Sequence, residues 1–524
     1  MAFLTRILEE RWLYWLGWAG LACGLALGRA ILSISIIVLA GAWLFDGLYR
    51  KDILKKWKAF LSHRPALLIS SIPIIYAISL LYSSGIHEGL SVLRTQAPLL
   101  VLPMILSSMP KLKADHIKRI AMIHVAALLL STLLSYFMAD ASVISETPRQ
   151  IPIFVNHIRM ALLLVMGIFL ILRFNSSKDP LRMFINLSAI AWFLYFLWIM
   201  QAATGFSILL LVLFFYGLRS LFVSGGRKWL GILSLLCVSL CGYYVISSAN
   251  AYWASPVVSL AELDTHTTLG NEYIHVIENK SLENGHRIWL YIAYNEMMEA
   301  WTERSAVDIN GKDKKGQPIR GTLLRYLTSL DLRKDAAGVA ALTDDQIKEI
   351  EEGITSALAQ EHSGIRKRLD VLFFELDSYV NGGDPSYNSM TRRFEYWKAG
   401  WGLFKRSPII GYGAGNLRED LKPEFIKNSR LSEDAWNLIH NQFLTFLACF
   451  GILGFIWMIY VHYMPLGIVF LRKEWLLWVF LFVLCASYMT EDTLNTQAGL
   501  SFFFFYQGLL ILGVYRPTES KTSS

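Results

Sequence analysis

Three groups of residues in this 524-residue chain carry side chains that could do chemistry. The first is His440-Asn441, followed by Gln442 and later by Gly451-Ile452-Leu453-Gly454. An imidazole exchanges a proton near neutral pH, so His440 is a candidate base. The competing reading is an interfacial histidine that caps a helix start or meets lipid headgroups. The second group is Arg392-Arg393 with Trp397, inside Arg-Arg-Phe-Glu-Tyr-Trp-Lys-Ala-Gly-Trp. Adjacent guanidinium forks bind phosphate oxygens in pairs, and the aromatic neighbours suit a sugar face or a membrane surface. The competing reading is an amphipathic interfacial helix whose arginines touch headgroups. The third group lies at the edges of apolar segments: Arg94, Arg149, His157, Arg159, Glu491 and Asp492. Ionisable groups at membrane depth are costly and point to function. Snorkelling to the interface accounts for Arg94 and Arg149, which leaves Arg159 and Glu491 as candidates.

The elements that must position these residues are membrane helices. The chain is 54% hydrophobic and 17% charged, with a mean hydropathy of +0.41; a soluble domain carries about a quarter of its residues charged. Apolar residues gather in blocks long enough to span the roughly 30 Å hydrocarbon core. Trp12, Trp15, Trp229, Tyr243, Tyr244 and Trp475 mark block edges, where aromatic rings favour the interface. We place spans at 12–28, 30–48, 65–83, 96–110, 120–138, 158–173, 184–201, 204–222, 229–248, 442–462, 474–490 and 498–515. This predicts an all-α polytopic membrane protein with about 12 transmembrane helices.

Charge sets the orientation. Basic residues follow every even-numbered span: Arg50, Lys51, Lys55, Lys56 and Lys58, then Lys111, Lys113, Lys118 and Arg119, then Arg173, Lys178 and Arg182. Arg219, Arg227 and Lys228, then Arg472 and Lys473, then Arg516 and Lys521 complete the series. The positive-inside rule puts those loops and both termini in the cytoplasm. The long hydrophilic segment then faces the other side, the periplasm of a bacterium. The expected organisation is a membrane domain at 1–249, a periplasmic loop domain at 250–440, a membrane domain at 441–516 and a cytoplasmic tail at 517–524. The formal charge of +8 belongs to this asymmetry and not to a nucleic-acid partner. No cleavable signal peptide is expected, because the first apolar stretch lacks an A-x-A-like exit. Cys23, Cys237, Cys241, Cys449 and Cys485 all fall in apolar blocks, so neither a disulfide framework nor a zinc-type site is expected.

The long segment reads as folded and mainly helical. Thr343 and Gln346 are spaced as a capping box over a helix at 343–360, with Ile347, Ile350, Ile354 and Leu358 at helical spacing. A second helix runs from Ile365 through Leu376 and stops at Asn381-Gly382-Gly383-Asp384-Pro385. A third covers 388–405. No clear strand is visible. His286-Arg287-Ile288-Trp289 echoes Arg392 to Trp397, too briefly to be a repeat. There is no Walker A loop, no D-x-D pair in the long segment, and no pair of matching interrupted helices. A nucleotide-driven pump, a metal–diphosphate site and an ion-coupled transporter are therefore disfavoured.

Taken together, these residues resemble the O-antigen ligase and polymerase superfamily of bacterial envelope glycosyltransferases. Arg393, Trp397, Pro408, Gly411 and Gly413 match an Arg-x-x-x-Trp, Pro, Gly-x-Gly pattern. His440, Asn441, Gly451 and Gly454 match a His-Asn followed by a Gly-x-x-Gly helix. A large periplasmic loop late in a polytopic chain matches the layout. The resemblance implies a bacterial inner-membrane enzyme that moves a glycan from undecaprenyl diphosphate to an acceptor hydroxyl, on lipid A–core or another glycan. It implies no cofactor and no metal. It makes His440 the base and Arg393 a diphosphate contact, with Arg392 in reserve and Trp397, Asn441, Arg159 and Glu491 on the substrate. A further Ser-Arg pair found in many ligases is missing at Ala203-Thr204-Gly205-Phe206-Ser207; either Arg159 or another group supplies that charge, or this branch does without it. Residues 300–385 are longer than a minimal ligase needs. A polymerase acting on the same donor is the nearest alternative, transfer to a protein hydroxyl a third, and a polysaccharide flippase the alternative from another class.

Overall fold

The computed structural model describes residues 12–174, 179–222, 228–254, 263–357, 364–464, 467 and 475–512. Lys178, Arg227, Leu358, Arg472, Lys473, Arg516, Lys521 and the tail at 517–524 lie outside these residues. The chain is an all-α multi-pass membrane protein with an additional helical region between about 280 and 430.

Among the described residues, eight helices are long and apolar enough to cross a membrane: α2 Arg29–Tyr49, α5 Ile86–Ser108, α6 Ala114–Met138, α7 His157–Phe174, α8 Pro180–Ile199, α9 Ala203–Phe222, α10 Lys228–Trp253 and α17 Gln442–Tyr463. The helices α3 Ile53–Leu61 and α4 Arg64–Ser79 make a ninth if their 84° bend is counted as one span. Three apolar helices are shorter: α1 Trp12–Leu27, α18 Trp475–Thr490 and α19 Gln497–Leu512. Each expected span thus falls on an apolar helix; residues 474 and 513–515 of the last two lie outside the described residues, and the span at 65–83 is the one that follows a bend. The bend has a local cause. Pro65 opens α4, His63 caps it by accepting the Ala66 N–H at 3.2 Å, and Lys56 pins α3 by a buried 2.7 Å ion pair with Asp46.

The chain divides by its contacts into two units. The first comprises residues 1–215, 396–429 and 436–524. Its opening hairpin, α1 and α2, packs through a stripe of glycines. A Cβ at Gly17 would stand 2.5 Å from Leu39 Cγ, and one at Gly24 would stand 2.8 Å from the Leu32 nitrogen. Close approach of small residues is the ordinary way membrane helices gain packing. The most enclosed span is α7, 67% buried; its N-terminal Arg159 is therefore on a helix surrounded by protein.

The second unit comprises residues 216–395 and 430–435. It has its own hydrophobic core around Trp301, Leu323, Leu327, Val339 and Ile350. That core joins α11 Tyr294–Arg304, α12 Ile319–Ser329 and α13 Asp344–Glu351. The capping box forms as expected, with Gln346 Oε1 accepting the Thr343 N–H at 2.9 Å. The helix is shorter than 343–360, however. It stops at Glu351, before Gly353 turns with φ +79, and Ile354 packs on the core from outside the helix. The next helices are α14 Gly364–Val380 and α15 Thr391–Arg406, which runs from this unit into the first and is followed there by α16 Leu417–Asn428. One strand pair escaped the sequence reading: β1 Leu282–Glu283 and β2 His286–Arg287 are antiparallel. Asn284 and Gly285, both at positive φ, are the turn that such a hairpin requires; two-residue strands leave no alternation to read. His286-Arg287 lies in this hairpin and Arg392-Arg393 in α15, so the two similar segments have different structures.

Candidate active site

Two glycine motifs turn out to be halves of one backbone contact within the first unit. Gly451 breaks α17 with φ 60 and ψ −167. A Cβ there would stand 2.2 Å from the Ile409 carbonyl oxygen, and one at Gly411 would stand 2.4 Å from the Cys449 carbonyl carbon. The loop after α15 runs along the break: Tyr412 N–H donates to Ala448 O at 2.9 Å, Gly413 N–H to Cys449 O at 2.8 Å, and Ile452 N–H to Pro408 O at 2.8 Å. Further on, Gly415 N–H donates to Ser83 Oγ at 2.8 Å. These glycines position the N-terminal end of α17; they carry no chemistry of their own.

At that end stands His440, with φ +51, a conformation uncommon for a residue with a Cβ and found at functional positions. Asn441 caps α17, its Oδ1 accepting from Phe443 N–H at 3.0 Å and Leu444 N–H at 3.1 Å. Asp492 fixes the pair from the segment after α18. It accepts the His440 N–H at 2.9 Å and the Thr445 hydroxyl at 2.5 Å. Burial pushes its carboxyl above the usual range, while Thr445 and His440 pull the other way. Gln442 Oε1 accepts the Leu494 N–H at 2.8 Å, and Gln96 donates to Leu494 O at 2.7 Å, so the segment following Asp492 is strapped on both sides.

The His440 ring lies between two partners. Nδ1 is 3.3 Å from Glu491 Oε2, and the Tyr396 ring is centred 5.4 Å away at 32°. A carboxylate only accepts, so Nδ1 is the donor in this pair, and in the neutral ring that tautomer leaves the lone pair on Nε2. Both side chains are partly exposed, at 28% and 22%, which leaves the site open to substrate. Arg159 joins from α7: its guanidinium donates to Thr496 Oγ1, and Glu491 is among the charges acting on it. The fold therefore brings His440, Asn441, Glu491 and Arg159 to one end of one unit, from α17, the α18–α19 connection and α7.

The helix α15 carries the remaining candidates. Arg392 and Arg393 belong to the second unit, half-buried. Arg392 Nη1 lies 3.5 Å from Ser386 O. Between them and Trp397 sits Glu395, fully buried, which accepts from the Tyr379 hydroxyl at 2.7 Å and the Arg430 N–H at 3.1 Å. Glu395 thus anchors the start of the helix, while Trp397 is half-buried in the first unit. Among the described residues no group of three or more His, Cys, Asp and Glu side chains is placed to hold a metal ion.

The motif glycines and Pro408, packed at the break in α17, belong to a stretch that matches a known family model. Residues 337–459 match the family model described as O-Antigen ligase. No curated protein matches the chain. The O-antigen ligase domain contains Arg392, Arg393, Trp397, His440 and Asn441, and its family covers ligases and polymerases. Arg159, Glu491 and Asp492 lie outside it, contributed by the flanking membrane helices. Sequence reasoning left out Arg29, which stands beside Arg159; a charge in the one-residue turn between two apolar blocks was the signal. Tyr396 was noticed only as part of an aromatic helix.

Proposed function

We propose that this protein is a glycosyltransferase that moves a glycan from undecaprenyl diphosphate to an acceptor hydroxyl at the extracytoplasmic membrane surface, and that its reaction is O-antigen ligation to lipid A–core. The observation that carries the reading is the His440–Glu491 pair at the mouth of a helix inside the O-antigen ligase domain. Twelve spans, cytoplasmic termini and a periplasmic long segment at 250–440 go with it, on the strength of the basic flanks.

In the reaction, His440 Nε2 takes the proton of the acceptor hydroxyl, and Glu491 holds the imidazole in that tautomer and balances the charge it gains. The acceptor oxygen bonds to the anomeric carbon as the bond from that carbon to the phosphate oxygen breaks. The electron pair leaves with undecaprenyl diphosphate. Direct attack inverts the anomeric configuration. Arg393, with Arg392 beside it, contacts the diphosphate and stabilises its developing charge. Asn441 and Trp397 line the substrate's path.

The test is transfer in vitro from undecaprenyl diphosphate-linked glycan, with the purified chain and no nucleotide. His440→Ala should lower the rate by about 10²–10⁴-fold with the protein still inserted. An unimpaired variant removes His440 from the mechanism. Arg393→Ala should raise the KM for the donor more than for the acceptor. A deletion strain separates the two family activities: a ligase mutant keeps polymer on the lipid carrier, and a polymerase mutant puts single repeat units on core.

A further inference from the structure

Within the first unit the last turns of α15 run down beside α17. Gly400 is level with the residue before His440: a Cβ there would stand 2.9 Å from Ile439 Cδ1. At the foot of the descent, Pro408 O accepts the Ile452 N–H at 2.8 Å. The helix α17, Gln442–Tyr463, is apolar and long enough to span a membrane. Gly451 lies about 14 Å along it from Gln442, at 1.5 Å per residue. The chain then returns along α4 and the residues that follow it. Ala414 N–H donates to Ser79 Oγ at 3.1 Å and Gly415 N–H to Ser83 Oγ at 2.8 Å, and Asp420 accepts the Ser84 hydroxyl at 3.0 Å. The segment from Gly400 to Gly415 therefore goes down one apolar helix and comes back up another.

Three properties of this loop belong to a hydrocarbon setting. Its irregular backbone is bonded to protein. Pro408 O and Ile409 O accept from the Ile452 and Leu453 N–H groups at 2.8 and 3.4 Å, Ile410 O from the Tyr82 hydroxyl at 2.9 Å, and Gly411 O from Ser407 Oγ at 2.9 Å. The Tyr412 and Gly413 N–H groups donate to α17 carbonyls. Non-helical backbone is tolerated at membrane depth only when protein satisfies it in this way. The outward side chains are apolar: Ile409 is 61% exposed and Ile410 50%, and the Tyr82 and Leu453 side chains beside them are exposed too. Contiguous apolar surface of this kind marks an interaction site. Finally, Ser407 to Asn416 carries no charge. The nearest charges on α15 are Lys405 and Arg406. Arg406 pairs with the buried Glu424 at 2.5 Å, and the long stem of an exposed lysine carries its ammonium to the headgroups.

We infer that residues 401–413 form a re-entrant element seated in the bilayer, with Ile409 and Ile410 against the acyl chains of one leaflet. Part of the segment expected outside the membrane, 250–440, then returns to it before α17 begins. The Gly411–Gly451 contact has a physical reason in that setting. A broken helix and an irregular loop each leave backbone groups without regular partners, and here they satisfy one another where water is absent. Nothing in this inference rests on the transfer reaction.

Nitroxide labels on the full chain in phospholipid vesicles read depth directly, in a Cys237→Ser background that removes the exposed cysteine of α10. Ile409→Cys and Ile410→Cys change exposed side chains and leave the packing intact. Leu453→Cys supplies the lipid-facing reference on α17, and Lys427→Cys, exposed on α16, the aqueous one. We expect both loop labels to match Leu453→Cys in power saturation: relaxed by oxygen, which concentrates among acyl chains, with loss of the access to a water-soluble nickel chelate that Lys427→Cys shows. Nickel access equal to that of Lys427→Cys at either loop position overturns the immersion and puts the hydrocarbon boundary at the Gly451 break. Shielding from both reagents overturns the lipid contact in favour of a protein surface, such as a second copy of this chain.

Discussion

Nδ1 of His440 stands 3.3 Å from the carboxylate of Glu491, although the two residues sit on different helix connections and only His440 lies within the O-antigen ligase domain. The pair gives the imidazole a defined tautomer. Glu491→Gln keeps the shape and removes the charge. It should lower kcat by about tenfold to a hundredfold with little change in KM, a smaller loss than that of His440→Ala, because the amide can still orient the ring but cannot balance an imidazolium. Steady-state kinetics of both variants decide this; a Glu491→Gln enzyme with wild-type kcat removes the carboxylate from the mechanism.

Asp492 holds the same histidine through its backbone. Asp492→Ala leaves the His440 N–H and the Thr445 hydroxyl unsatisfied, at a cost of about 1–3 kcal/mol. Asp492→Asn should fold well, since its Oδ1 still accepts the N–H and the Thr445 hydroxyl can turn to accept from the amide. The pH dependence has a definite sign. The folded-state value of Asp492 is raised, so the native protein binds this proton more tightly than the unfolded chain. Its contribution therefore falls as pH rises from the ordinary carboxylate value through the raised one. Thermal unfolding across that range should show wild type losing ground to Asp492→Asn as pH increases.

Backbone contact predicts a sharp contrast among glycines. Gly451→Ala must place a Cβ against the Ile409 carbonyl and adopt a positive φ, and Gly411→Ala meets Cys449 in the same way. Both should lose folded protein in detergent. Gly41→Ala, with no atom within 4 Å of the new Cβ, should match wild type in fluorescence-detected gel filtration.

In the second unit, Lys334 is 4% exposed, and its ammonium donates to the Arg287 carbonyl at 3.4 Å. Burial pushes it down to about 8, opposed weakly by Asp331. The unfolded chain binds this proton more tightly, so stability rises with pH between about 8 and the ordinary lysine value of roughly 10.4. Lys334→Met should raise Tm at pH 7, and the advantage should shrink as pH climbs through that window. An advantage constant with pH would show that packing, not charge, is responsible.

Much of this was legible in the residues themselves. Apolar blocks fix which segments are helical in a membrane, because the backbone has no other way to satisfy its hydrogen bonds there. Thr343 with Gln346 is a local cap that depends on neighbours a few residues away, and it forms. The chemistry of His440 and of paired arginines was likewise visible in residue type. Other features depend on parts of the chain far apart in sequence. Gly411 and Gly451 needed each other's backbones, and no periodicity announces that. The contacts of His440 with Glu491 at its Nδ1 and Asp492 at its backbone are hydrogen bonds that span about fifty residues of sequence. Residue type sets what a side chain can do; packing of distant helices decides which side chains share a site, because burial and hydrogen bonding between them arise only after the helices assemble.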